Sequence, residues 1–226
     1  MKFQRITITF LLILAPFCVM AQKWYTSDVD EKVDNILRKM TVKEKLSYIG
    51  GIDWMYTRNI DRLGIPRMKM SDGPQGIGTH GQSTAYPATV LLAATWNEDL
   101  AYEYGKSLGR DCRARGINVL LGPAVNIYRA PMCGRNFEYM GEDPFLTATT
   151  STGYIKGLQE NGVMGVIKHF TANFQEYDRN YVSSNIDERT LHEIYFPAFK
   201  SAVQNAEVGA VTVSYTHLRA HETRGN

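Results

Sequence analysis

Short apolar runs, each followed at once by glycine, proline or charged residues and then by a helix-length amphipathic stretch, most limit how this chain can fold. Pro66–Met70 leads into Ser71-Asp72-Gly73-Pro74, Ile117–Leu121 ends in Gly122-Pro123, Val163–Ile167 leads into Lys168-His169-Phe170, and a fourth run covers Val208–Val213. Between them lie segments with helical spacing: Asn97–Arg115, stopped by Gly116; Pro144–Glu160, stopped by Asn161-Gly162; and Asp187–Asn205, with Asp187 at the N-cap position. Upstream, the spacing over Asp28–Tyr48 predicts two helices meeting at Thr41, which forms a T-x-x-E capping box with Glu44. Continuous apolar strands separated by helices of about ten or more residues are the mark of βαβ units and a parallel sheet.

In such sheets the functional groups sit at the C-terminal ends of the strands, in a closed barrel and in an open doubly wound sheet alike. No GxGxxG or Walker pattern follows any of the four runs, which counts against a nucleotide site. A complete barrel takes about 250 residues, whereas 205 remain here (226 minus 21) once an N-terminal leader is set aside. The expectation is an α/β chain forming the N-terminal part of a (β/α)8 TIM-type barrel, truncated.

The leader is expected at residues 1–21. Lys2 and Arg5 precede the apolar Ile6–Val19, and Val19-Met20-Ala21 offers a small-residue cleavage site, the pattern of a signal peptide. The apolar run falls short of the roughly 20 residues that span a bilayer. Bulky Phe17 before Cys18 speaks against lipid attachment. The protein is therefore expected to be secreted or periplasmic. Export permits a disulfide between Cys112 and Cys133, but two free buried thiols are preferred, and no Cys/His spacing resembles a zinc site. A net charge of +2 gives no electrostatic case for nucleic acid or an anionic membrane as partner.

Four polar clusters fall at comparable places in the strand–helix rhythm: Ser71–Gly76, Gly134–Glu138, Lys168–Phe170 and Asn173–Arg179. Asp72, held before a rigid Gly-Pro turn, presents two oxygens that accept from vicinal hydroxyls. Arg135 and Lys168 are donors that also lower the pKa of a neighbouring carboxylate, and His169 can donate to a ring hydroxyl. Each has a plainer reading. Asp72 can be a turn former, Arg135 can pair with Glu138 or Glu142 on a surface loop, and Phe137, Tyr139 and Phe170 fit core or loop packing better than sugar platforms. No Ser-His-Asp-type pair is visible.

The runs "MSDGPQGI", "GPAVNIYRAPMCGRNFEYMGEDPFL", "KHFTANFQEYDR" and "IDERTLHEIYFPAFKSAV" together resemble glycoside hydrolase family 3, over roughly residues 28 to 215. The resemblance implies an N-terminal barrel followed by an α/β sandwich. It also implies exo-acting, retaining hydrolysis of β-linked sugars at non-reducing ends, as in β-glucosidases and β-xylosidases, with no metal or organic cofactor. Carried over by motif, Asp72, Arg135, Lys168, His169 and Arg179 would surround one sugar, and Tyr215 would sit beside the nucleophile. The partner implied is a small-molecule or oligosaccharide substrate. Thr171-Ala172-Asn173 after Lys168-His169-Phe170 disfavours the family's β-N-acetylhexosaminidase branch, and Gly78 stands where many members carry a sugar-contacting Arg.

After Tyr215 the family's pattern stops. Residues 216–226 are expected to be a non-native tail, so the barrel domain is expected to occupy 22–215, incomplete, and the two His of the tail are not read as a metal site. The nucleophilic Asp and the acid/base Glu are expected beyond the end of this chain, which alone would be inactive, since retaining hydrolysis needs two carboxyls about 5–5.5 Å apart. The alternative is a non-catalytic sugar-binding protein or pseudoenzyme on the same barrel. A third reading, a phosphate-utilising barrel enzyme, would show itself in late βα loops.

Overall fold

The computed structural model describes residues 27–214 and 217–218. The expected leader and Tyr215 lie outside these, as does most of the expected tail. The chain divides into two compact units, the first ending at Val42 and the second starting at Lys43. The described part of the first contains α1 (Ser27–Lys39). Asp28 and Asp30 in its first turn and Arg38 and Lys39 in its last match the helix dipole. Helix α2 (Val42–Tyr48) starts at the unit boundary, and the predicted interruption thus falls at Met40-Thr41. Glu44 is engaged by the Arg62 guanidinium at 2.7–3.1 Å.

The sheet of the second unit is parallel, as the apolar runs predict. Strands β1 (Met70–Asp72), β2 (Val119–Leu121), β3 (Met164–Phe170) and, after a two-residue β4 (Ser183–Ser184), β5 (Ala210–Val213) form it in the order β1-β2-β3-β5. Ser71 pairs with Leu120, Val119 with Met164, and Val166 with Ala210. Neighbours in the chain are neighbours in space, as in a (β/α) barrel laid down stave by stave. A separate ladder joins β4 to β6 (His217–Leu218).

Helix α3 (Thr89–Ala93) precedes α4 (Glu98–Ala114) and α5 (Pro144–Glu160). Both long helices start where capping chemistry predicts. The Asn97 side chain accepts from the Leu100 amide at 3.0 Å, the Asp143 side chain accepts from the Leu146 amide at 2.6 Å, and Pro144 opens α5. Gly116 and Gly162 end the two segments with φ of 68° and 70°. The buried core lies between the sheet and these helices: Leu108, Cys112, Tyr154, Ile155 and Leu158 meet Ile117, Leu120, Val125, Val163 and Ile167. Cys112 and Cys133 are both buried and free.

Three expectations are corrected. The first strand begins at Met70, not Pro66, because Tyr56 bridges to Lys69 and Ile60 to Ile65, so the preceding residues form a small antiparallel fold of their own. The third strand runs three residues past Ile167, to Phe170. The single helix predicted over Asp187–Asn205 is instead α6 (Glu188–Thr190), a π turn (Leu191–Tyr195) and α7 (Pro197–Ala206). Pro197 has no N–H, and its ring would clash with the carbonyl four residues back, so it opens a helix rather than continuing one. Asp187 still caps, accepting from the Thr190 amide at 2.9 Å. No helix among the described residues is long and apolar enough to cross a membrane.

Candidate functional site

Asp72 is the last residue of β1. The turn behind it depends on glycine: Gly73 has φ 136°, and a Cβ there would meet the Gly76 carbonyl oxygen at 1.7 Å. The turn is closed by the Gly78 amide donating to the Asp72 carbonyl at 2.7 Å, while the Gly73 amide donates to Asp72 Oδ1 at 2.9 Å. Lys168 reaches the same oxygen from β3, its Nζ 2.6 Å away. The loop from β2 to α5 supplies Arg135 and a single 3-10 turn, Asn136–Glu138. The loop after β3 supplies Glu176 and Arg179.

These side chains alternate in sign. From Asp72 the series passes to Lys168, then Glu138 (3.3 Å), Arg135 (2.5 Å), Glu176 (4.0 Å) and Arg179 (2.5 Å). Its middle is dry, since the Lys168 and Glu138 side chains are 3% and 4% exposed, and its Asp72 end opens to solvent at 46%. Burial works against the Arg135 charge, and Glu138 at close range more than restores it, so the guanidinium pKa ends above its usual value. Oδ1 of Asp72 accepts both of these bonds, which leaves Oδ2 without a bond among the described residues. One lysine proton is spent on Asp72 and another faces Glu138, leaving a third.

His169 follows Lys168 and is buried, with Nδ1 lacking a partner among the described residues. Burial first, then the Arg135, Lys168 and Arg179 charges, pull its pKa down to about 2, so the ring is neutral at physiological pH. Its backbone is clamped by Asn126, whose Oδ1 accepts from the His169 amide and whose Nδ2 donates to the His169 carbonyl, both at 3.0 Å. The Lys168–His169 and Phe170–Thr171 peptide bonds are cis.

Asp72, Arg135, Lys168, His169 and Arg179, five of the six residues singled out from sequence, line one open cleft of about 850 Å³. Tyr215 falls outside the described residues. The reading of Arg135 as a surface-loop ion pair is half right: it does pair with Glu138, but in the interior. Of the three aromatics assigned to packing, Tyr139 is buried and Phe170 stacks on Phe196 and meets Phe199 edge-on, while Phe137 is mostly exposed and lines the cleft.

Several residues of the site were not singled out from sequence as site residues, and Glu138 was read there only as a surface-loop partner of Arg135. Glu138 and Glu176 organise the cations, Asn126 holds His169, and Trp54, exposed on the rim in a left-handed stretch of backbone, lines the cleft. Asn126 had a signal, being a lone amide inside the apolar run Ala124–Ile127, where a buried polar group needs a partner. No cluster of His, Cys, Asp and Glu among the described residues could hold a metal ion.

A parallel sheet with consecutive β/α units in order and its charged side chains gathered at the C-terminal strand ends defines a (β/α)-barrel type of protein. Residues 29–225 match the family model described as the glycosyl hydrolase family 3 N terminal domain, and the chain belongs to that family. It is 44% identical over 200 residues to a β-glucosidase of Rhizobium radiobacter, which covers 86% of this chain and 24% of that protein. It is 40% identical over 242 residues to the β-glucosidase BoGH3A of Bacteroides ovatus, covering 97% and 32%. Among solved structures, β-glucosidase 3B from Thermotoga neapolitana in complex with α-D-glucose superposes with a TM-score of 0.79 at 37% identity, over 84% of this chain and 30% of that one. The Kluyveromyces marxianus β-glucosidase in complex with glucose gives 0.81 at 36%, over 82% and 23%. The chain thus spans about a quarter to a third of the length of these curated relatives.

Proposed function

We propose that this chain carries the sugar-binding half of a retaining, exo-acting β-glycosidase of the β-glucosidase kind, and that its cleft receives one non-reducing-end pyranose. The observation that carries the reading is the convergence of Asp72, Lys168, Arg135, Arg179 and neutral His169 on one cleft at the strand ends. Such a set matches uncharged vicinal hydroxyls. Asp72 offers an acceptor, the cations offer donors to oxygen lone pairs, and an imidazole held neutral can both donate and accept.

The cleft's carboxylates do not have the character of a nucleophile and acid pair. Asp72, Glu138 and Glu176 are each tied to a cation by an ion pair, which suits them to hold the cations in place rather than to attack a sugar carbon. Hydrolysis then requires carboxyls supplied from outside these residues, and the 226-residue chain alone binds without turning over. The same ion pairing would serve a non-catalytic sugar-binding protein, and contiguous coding sequence with a further Asp and Glu decides for the enzyme. With Lys2 and Arg5 ahead of the apolar Ile6–Val19, we place its site of action outside the cytoplasm.

Titration of the purified chain with glucose, followed by Trp fluorescence and NMR, tests the binding. Saturable binding that Asp72→Ala abolishes is expected, and an absence of binding to any pyranose sinks the reading. An aryl β-glucoside assay of the same sample should show no release, and turnover would overturn the division of labour.

A further inference from the structure

We infer that Glu138 is a positioning residue of the cleft: its negative charge holds Lys168 and Arg135 side by side as the donors a ligand meets. The inference rests on the proposed sugar site. Glu138 spends one oxygen on each cation, Oε1 at 2.5 Å from Arg135 Nε and Oε2 at 3.3 Å from Lys168 Nζ. It therefore ties the loop after β2 to strand β3 through its side chain. A carboxylate this buried is tolerated only when paired, and here both partners are themselves cleft-lining groups.

The backbone of Glu138 is anchored independently. Its carbonyl accepts from Thr89 Oγ1 at 2.6 Å, and its amide donates to the Arg135 carbonyl at 3.1 Å. The loop therefore keeps these backbone anchors when the side-chain charge is removed. Without its charge, Lys168 and Arg135 would face each other as like charges, with Glu176 left 4.0 Å from Arg135. A glutamine at this position cannot substitute. Lys and Arg are donors only, so whichever way the amide turns, its NH2 faces one of the two cations donor to donor. Glu138→Gln should therefore release one of them from the cleft while leaving the volume filled.

The test uses the whole 226-residue chain, 15N-labelled at lysine, with the Lys168 ammonium resonance assigned through Lys168→Met. In the wild type that ammonium should exchange slowly with water. In Glu138→Gln the far-UV circular dichroism and cooperative melting should persist, the slow ammonium signal should vanish or move, and glucose affinity should fall by about tenfold or more. Glu138→Asp, which restores the charge on a shorter arm, should recover part of that loss. Glucose affinity within about twofold of wild type in a folded Glu138→Gln chain, with the ammonium signal unchanged, overturns the inference.

Should Glu138→Gln not fold, Asp72→Asn decides. Glu138 then holds Lys168 alone, so the slow signal must survive, and its loss refutes the role. A wild-type chain that binds no sugar defeats the proposed function, yet the ammonium responses still judge Glu138.

Discussion

The α4–α5 contact and the cleft are both held together, but by opposite means. Where α4 crosses α5, two glycines let the backbones meet. A Cβ on Gly105 would lie 2.0 Å from the Tyr154 carbonyl oxygen, and one on Gly157 the same distance from that of Tyr102. A partly exposed Lys106–Glu160 pair joins the two helices at 3.4 Å, but the close approach itself requires only the absence of atoms. In the cleft, space is ample and six charged side chains alternate in sign. The lesson is that a single methyl group should break the first region, whereas a loss of charge at unchanged volume should break the second. Gly105→Ala is expected to have the largest effect of any change considered. Overpacking against a carbonyl that cannot move without its helix costs about 3 kcal/mol or more, despite alanine's better helix propensity. Urea melts of the chain would show it as a lower midpoint, and an unchanged midpoint would mean that the helices slide apart freely.

The cleft supplies the matching experiment. Lys168→Met keeps the length of the side chain but leaves Asp72 without its cation and Glu138 with Arg135 alone. Breaking a fully buried pair costs several kcal/mol; because Asp72 is half-exposed and Glu138 keeps a partner, about 2 kcal/mol is expected, together with loss of glucose binding. Gly105→Ala, by contrast, should leave glucose affinity intact in whatever fraction stays folded. A methionine variant that melts and binds like the wild type would erase the distinction between the two regions.

Acid probes the same asymmetry. His169 has a folded-state pKa near 2 against an ordinary value of 6.5, so the unfolded chain binds a proton that the folded chain refuses. Its contribution is complete above about pH 6.5 and is lost as pH falls below it, with a slope approaching about 1.4 kcal/mol per pH unit. Between about pH 6.5 and 5, above the range where carboxylates titrate, His169→Gln should flatten the curve of stability against pH. An identical slope in the variant would show that the imidazole is protonated in place.

How much of this was legible beforehand follows from the range of the forces. Strands β1, β2, β3 and β5 and helices α4 and α5 were readable because local rules set them. Asn97, Asp143 and Pro144 mark the starts, and Gly116 and Gly162 mark the ends. Helix α3 was missed because Thr89–Ala93 is too short to show a period. The break in 187–205 was missed although Pro197 announced it, since apolar periodicity continues on both sides. The polar residues that open the cleft could be picked out because each lies near the C-terminal end of a strand or in the loop after it. Glu138 was legible only as a local partner of Arg135, and Glu176 was not singled out, because the contacts that link the pairs, Lys168 to Glu138 and Arg135 to Glu176, join different segments and spacing does not show them. Gly105 and Gly157 were not singled out from sequence, and the close approach of the two helices explains them.

The smallest effects test the local layer against both regions. Asp143 caps α5 from outside the core, with one hydrogen bond to the Leu146 amide. Asp143→Ala should cost about 1 kcal/mol, because it leaves one orphan N–H at a helix end that water can partly serve. The exposed Arg189–Glu193 pair, 2.9 Å apart on the surface, should contribute less than about 0.5 kcal/mol and vanish in salt. If Glu193→Gln proved as costly as Asp143→Ala, surface charge would be holding the π-turn segment. The contrast between buried and exposed ion pairs would then fail.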